Sequence, residues 1–166
     1  AKDRRQRQMC IRDSYNTLKA VILAANPSRR LSPFIEHRTK PMIRVAGGPI
    51  LEYTLKSLHQ AGFREIMMVV NHEQEGIRAH FGSGDHLNLN LEYVVQESPK
   101  GIGNALWTCK SWLENEPFCL VYGDVLTDGN PFIPMLDAYS ESGQDLALVT
   151  LPASSSEFGN VYLDPE

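Results

Sequence analysis

No apolar run in this 166-residue chain approaches the roughly 20 residues that cross a bilayer, so a membrane-spanning helix is excluded. A basic surplus is missing too. With 16 Lys and Arg against 20 Asp and Glu, the net charge of -4 argues against a chain that coats nucleic acid or an anionic membrane. Any anion must be met locally. Cysteine is scarce: Cys10, Cys109 and Cys119 form an odd set without a CxxC pair, which fits a reducing compartment, so the expected location is cytoplasmic. The five histidines, His37, His59, His72, His80 and His86, lack ligand spacing such as HxxxH, and zinc is not expected. There is no GxSxG elbow and no GxxxxGK[ST] loop. Glycine itself does not occur before Gly47, although "KAVILAANPSRRLSPFIEHRTKPM" at 19–42 runs from an apolar strand into a basic loop of the kind that usually needs it.

What is present suits one domain or a large part of one, since 42% hydrophobic residues can supply a core. Residues 1–17 are polar, basic and aperiodic, and read as a flexible or non-native leader. The domain occupies 18–166, and "FGNVYLDPE" looks like a strand cut short, so the chain is expected to be incomplete at its C-terminus. Strands are predicted at 20–25, 66–71, 89–95, 118–122 and 146–151. Helical stripes lie between them. Pro49 suits a first helical position, Leu51, Leu55 and Leu58 share a face, and Gly62 suits the end. Ile102, Ala105, Leu106, Cys109, Trp112 and Leu113 predict a second helix, and Ile133, Leu136 and Tyr139 a third. The alternation predicts an α/β fold: a three-layer, Rossmann-like sheet, mixed but mainly parallel, with helices on both faces. AVILAA and FCLVY, apolar throughout, are expected to be central, and ligands to bind outside the carboxyl ends of such strands. "PASSSEFG" reads as a loop, and no internal repeat occurs.

The unusual residues fall at those ends. Asp124 follows FCLVYG, and a carboxylate there needs a partner: a hard cation such as Mg²⁺, an arginine, or a turn that it caps. Arg30 and Lys40 point to an anion opposite, Arg as a planar fork and Lys as a mobile point charge, unless the loop is merely a solvated basic one. Gln96 can offer a donor and an acceptor to a base edge, and Gly101 and Gly103 allow close backbone approach. As a dinucleotide fingerprint "GIGNAL" is weak, since its third glycine position holds Leu106, but Asp124 lies 23 residues beyond Gly101 at the end of the next strand and keeps a dinucleotide-binding oxidoreductase open as a further reading.

Four ordered stretches carry a resemblance to the sugar-1-phosphate nucleotidyltransferases. "KAVILAANPSRRLSP" resembles that family's KAVILAAGxGxRLxP, "TKPMIRVAGGPILEYTLKSLHQAG" its PKPMxPVxGKPIxxYxLxxLxxAG, "VVQESPKGIGNAL" its QxxPxGTAxAL, and "FCLVYGDVL" its FLVxxGDxL. The resemblance runs from residue 18 to about 163. It implies transfer of a nucleotidyl group from an NTP, UTP or dTTP favoured, to a sugar 1-phosphate, with Mg²⁺ as cofactor and release of pyrophosphate. By the same resemblance, Leu23, Ala24, Ala25 and Asn26 would line the nucleotide, and Arg30 would hold its triphosphate. Lys40 would bind the sugar phosphate, Gln96 and Gly101 the base, Asp124 the metal, and Gly159 of "EFGNVYLD" the sugar. Partners are then the NTP and the sugar 1-phosphate, with no nucleic acid or membrane, and a homo-oligomer is allowed. Departures from the pattern are concrete: Asn26 and Ser28 stand at the two loop glycines, Thr39 at the first proline of PKP, Gly48 at the lysine of GKP, and Ile102 at a Thr. The altered loop motivates a second reading, a noncatalytic or weakened regulatory homologue that keeps the fold.

Overall fold

A computed structural model of the protein describes residues 18–25, 39–98 and 100–150. The leader, the Ser-rich loop and the strand-like closing stretch lie outside the described residues. By compactness the chain divides into two units, residues 1–130 and residues 131–166.

Among the described residues the first unit contains six strands: β1 (Lys19–Leu23), β2 (Arg44–Val45), β3 (Gly48–Pro49), β4 (Glu65–Val70), β5 (Asn90–Val95) and β6 (Phe118–Tyr122). Four of them form a parallel sheet in the order β5-β4-β1-β6, while β2 and β3 pair as an antiparallel hairpin. Alternation along the strands sorts their side chains by face. Val21, Met67 and Val69 point to one face and cluster with Ala105, Cys109 and Leu113. Ala20, Ile22, Ile66 and Met68 point to the other, and each is fully buried, so both faces are covered.

Helix α1 (Ile50–Ala61) starts at Pro49 and ends at Gly62, as the sequence predicts. Its stripe Leu51, Leu55 and Leu58 is wholly buried, worth about 1.5–3 kcal/mol per side chain. Helix α2 (Glu75–Phe81) carries only Ile77 and Phe81 as buried residues, too short a stripe to stand out in the sequence. The helix expected from Ile102 to Leu113 is two pieces, α3 (Ile102–Thr108) and α4 (Lys110–Leu113). The cause lies at the junction. The Thr108 hydroxyl donates to Ala105 O at 2.6 Å, the carbonyl that Cys109 N–H would use in a continuous helix, and Cys109 N–H turns to Leu106 O instead. Burial pushes the Cys109 thiol up, and that of Cys119 up to about 12, so neither is a nucleophile at neutral pH.

Two expectations about the strands need correction. FCLVY is not central: among the described residues β6 is the edge of the sheet, beside β1, with Cys119 and Val121 buried and Phe118, Leu120 and Tyr122 exposed. The cluster under α3 and α4 takes its strand side chains from β1, β4 and β5, so that face of β6 is left uncovered. Of the strand expected at 146–151, the described residues 146–150 form no strand, and Leu146, Leu148 and Val149 are exposed.

Lys19 anchors the amino end of β1. Its ammonium donates to Trp112 O at 2.8 Å, lies 3.2 Å from Glu116 and 3.7 Å from Glu114, and sits over the Trp112 ring. Burial opposes the charge, but the surrounding glutamates outweigh it and hold the Lys19 pKa above its ordinary value. The hairpin turns through Ala46 (φ 47°) and Gly47 (φ 98°), both left-handed as a two-residue hairpin of this hand requires. Tyr53 OH donates to Val45 O at 2.8 Å, and Arg44 donates to Gly47 O. Alanine is strained at that φ. Ala46→Asn is therefore expected to stabilise the protein by about 0.5–1 kcal/mol. A higher urea midpoint at unchanged m value would show it, and an unchanged midpoint would refute it.

In the second unit, α5 (Phe132–Ser142) follows Pro131 and ends at Gly143. Leu136 of the expected stripe is buried, but Ile133 is exposed and Phe132, one residue before it, is buried in its place.

Candidate functional site

Because the four strands run parallel, their carboxyl ends share one edge of the sheet, and the described residues singled out by sequence lie along it. β1 leaves the sheet through Ala24 and Ala25, both buried. Ala24 N–H donates to Val69 O at 2.9 Å, and Ala25 O accepts from Asn71 Nδ2 at 3.1 Å, so the chain is held as far as Ala25. Asn26, Arg30 and Gly159 lie outside the described residues.

Next to this exit is the turn after β6. Gly123 N–H donates to Leu23 O at 3.0 Å. A Cβ on Gly123 would lie 3.2 Å from Ile22 Cγ2, 3.2 Å from Leu23 O and 3.4 Å from the Ala24 Cβ, so glycine permits the two strand ends to approach. Asp124 then leaves the sheet alongside β1. Lys40 reaches it from the start of a single 3-10 turn, Lys40–Met42, which contains the buried Pro41 and is closed by Met42 N–H to Thr39 O and Ile43 N–H to Lys40 O.

Lys40 Nζ stands 3.7 Å from Asp124 Oδ2, with the two side chains 23% and 27% exposed. The partner of Asp124 is thus a lysine, where sequence left open a cation, an arginine or a turn cap. At that distance the contact is an ion pair without a hydrogen bond, so the carboxylate keeps lone pairs to offer. Among the described residues no group of three or more His, Cys, Asp or Glu could hold a metal. Magnesium does not need one: it takes one or two carboxylates and completes its octahedron with water and phosphate oxygens, a donor set that a partly exposed Asp124 fits. Two buried polar atoms, Thr39 Oγ1 beside Lys40 and Gln74 Nε2 beyond the end of β4, have no hydrogen-bond partner among the described residues.

On the far side of the edge, Gln96 follows β5 and is 8% exposed. Its backbone N–H donates to Val70 O at 2.8 Å. Its Nε2 donates to Gly101 O at 3.2 Å and to Asn104 Oδ1 at 2.9 Å. Gly101, at φ 91°, caps the start of α3. The contribution of Asn104 was not read from sequence; the available signal was a second amide one helical turn beyond the glycine. From β5 to β6 is three ladder spacings, about 14 Å.

The family model described as Nucleotidyl transferase matches residues 19–166. A mannose-1-phosphate guanylyltransferase of Mycobacterium tuberculosis is 30% identical over 148 residues, 89% of this chain and 41% of that protein. A UTP–glucose-1-phosphate uridylyltransferase of Staphylococcus epidermidis is 28% identical, covering 89% of this chain and 59% of the relative. In fold the chain is similar to a crystal structure of a Bacillus anthracis protein assigned as a glucose-1-phosphate thymidylyltransferase, solved with sucrose. The TM-score is 0.70 at 24% identity, covering 75% of this chain and 51% of the other. The chain thus spans about half the length of these relatives. No helix among the described residues is long and apolar enough to cross a membrane.

Proposed function

The chain belongs to the nucleotidyl transferase family, and from that premise we propose that it carries the nucleotide-binding part of an enzyme that joins an NTP to a sugar 1-phosphate. The observation that carries this reading is the convergence of Lys40 and Asp124 beside the end of β1, with the buried Gln96 across the same edge. The relatives are named for guanylyl and uridylyl transfer to sugar 1-phosphates, which supports the reaction class and leaves UTP or dTTP as our preference.

The reaction is an in-line displacement. A phosphate oxygen of the sugar 1-phosphate bonds to the α-phosphorus of the NTP as the bond to the bridging oxygen breaks, and pyrophosphate departs with that electron pair. Leu23, Ala24 and Ala25 lead the backbone along the nucleotide, Gln96 and Gly101 take the base, and the resemblance assigns Asn26 to the nucleotide and Arg30 to its triphosphate. Lys40 draws in the sugar phosphate and offsets the repulsion between two anions. Asp124 is the residue that would hold Mg²⁺, which when bound supplies charge neutralisation at the phosphates. Catalysis is then orientation plus charge compensation, with no covalent enzyme intermediate.

The test uses the full-length protein with each NTP, MgCl₂ and a panel of sugar 1-phosphates, and measures pyrophosphate. Release is expected with UTP or dTTP. A folded protein that releases none with any pair would refute catalysis. The altered loop at 26–29 gives the alternative, a noncatalytic homologue, its own test. An NTP and Mg²⁺ should raise the melting temperature of the parent and not that of Arg30→Ala, whereas no shift in the parent would favour the alternative.

A further inference from the structure

We infer that Asn104 is a positioning residue that locks the Gln96 carboxamide with its oxygen outward. The pocket thereby admits bases carrying a ring N–H, namely uracil, thymine and guanine, and rejects cytosine and adenine. The inference rests on the nucleotidyl-transfer reading above and goes further, to the sense of the hydrogen bond and the residue that sets it.

The orientation of Gln96 follows from its partners. Gly101 O is a backbone carbonyl with no hydrogen, so the group 3.2 Å away must be the Gln96 amine and not its oxygen. That amine has two N–H bonds. One goes to Gly101 O and the other to Asn104 Oδ1 at 2.9 Å, which in turn fixes the Asn104 amide. Both Gln96 donors are then used inside the protein, and Gln96 Oε1 accepts no hydrogen bond from any described residue. Gln96 is 8% exposed, so water cannot easily satisfy a misplaced amide. Rotating the carboxamide by half a turn would set its oxygen against Gly101 O. Asn104 could itself rotate to follow, but the clash of the Gln96 oxygen with Gly101 O would remain, because a backbone carbonyl cannot turn into a donor.

An unconstrained glutamine is ambivalent, because it can flip to offer either a donor or an acceptor. Held by Asn104 it is an acceptor only. Uracil and thymine carry N3–H, and guanine N1–H, each able to donate to Gln96 Oε1. Cytosine N3 and adenine N1 carry a lone pair at the corresponding ring position, which would face another lone pair. The selectivity thus lies in a side chain that need not touch the nucleotide.

Calorimetric titration of the full-length protein with UTP, dTTP, GTP, CTP, ATP and N3-methyl-UTP, in MgCl₂, tests this. In the parent the best of UTP, dTTP and GTP should bind roughly tenfold to a hundredfold more tightly than CTP or ATP, with N3-methyl-UTP as weak as CTP. Asn104→Leu removes the acceptor and should narrow that ratio to a few-fold, whereas Asn104→Asp keeps an acceptor and should preserve it. Circular dichroism checks that each variant is folded. A folded Asn104→Leu with an undiminished ratio would overturn the inference. So would loss of the ratio in Asn104→Asp, or N3-methyl-UTP bound by the parent as well as UTP, and these two hold even if the leucine variant fails to fold. A parent that binds no triphosphate would overturn the proposed function and this inference with it, an outcome distinct from the others.

Discussion

Asp124→Asn is expected to lower pyrophosphate release by about 100-fold or more, while moving the melting temperature by only a few degrees. The substitution preserves shape and removes charge, so it separates two roles. As a structural partner, Asp124 contributes a partly exposed ion pair to Lys40 at 3.7 Å, a contact worth about 0–1 kcal/mol. In a chain of 166 residues that corresponds to a shift of roughly 0–4 °C. As the holder of the metal it would matter far more, because charge compensation in a partly water-excluded site acts on the transition state itself. The magnesium response makes the distinction. Asp124→Asn should need much more MgCl₂ for its residual rate, whereas Lys40→Met, which breaks the same ion pair, should keep the parent's magnesium dependence and raise KM for the sugar 1-phosphate. An asparagine variant with the parent's kcat and magnesium dependence would show that Asp124 is only the partner of Lys40.

The second large effect is structural. Gly123→Val should cost about 2 kcal/mol or more, equivalent to roughly 4–8 °C in melting temperature, and should weaken nucleotide binding at the same time. The first added carbon already meets Ile22 Cγ2 and Leu23 O at 3.2 Å. One of these is backbone, pinned by Gly123 N–H to Leu23 O and by the β1 ladders on both sides. It cannot yield as a side-chain tip would, so the two strand ends must separate. Gly123→Ala should fall between the parent and the valine variant. Thermal melts and nucleotide titration read the two consequences together, and a valine variant as stable as the parent would mean that the turn has slack which these distances deny.

The elements legible in the sequence were those with one dominant signal. β1 and β4 are short apolar runs, and α1 has a full leucine stripe bounded by Pro49 and Gly62. Where the outcome depended on neighbours, sequence was a poorer guide. FCLVY is as apolar as a central strand, yet its position is set by which helices reach it, and α3 and α4 do not cover its outward face. The break at Cys109 turns on one hydroxyl competing for one carbonyl, which periodicity cannot register. At the candidate site, residue types at strand ends pointed to Lys40, Gln96 and Asp124 individually. That Lys40 lies against Asp124, and that Asn104 holds Gln96, are long-range and rotameric facts that spacing does not encode.

The strand order β5-β4-β1-β6 has a consequence for how such a protein can change. On the proposed function, base selection would fall to Gln96 and Asn104, which follow β5, and phosphate handling to Lys40 and to Asp124, which follows β6, with β4 and β1 between the two outer strands. Substitutions that far apart with no shared partner combine additively. A lineage could therefore exchange one nucleotide for another through a few residues after β5 without renegotiating the transfer chemistry after β6. Conversely, transfer could be lost at Lys40 or Asp124 while nucleotide recognition persists, which would turn a catalyst into a sensor of the same ligand.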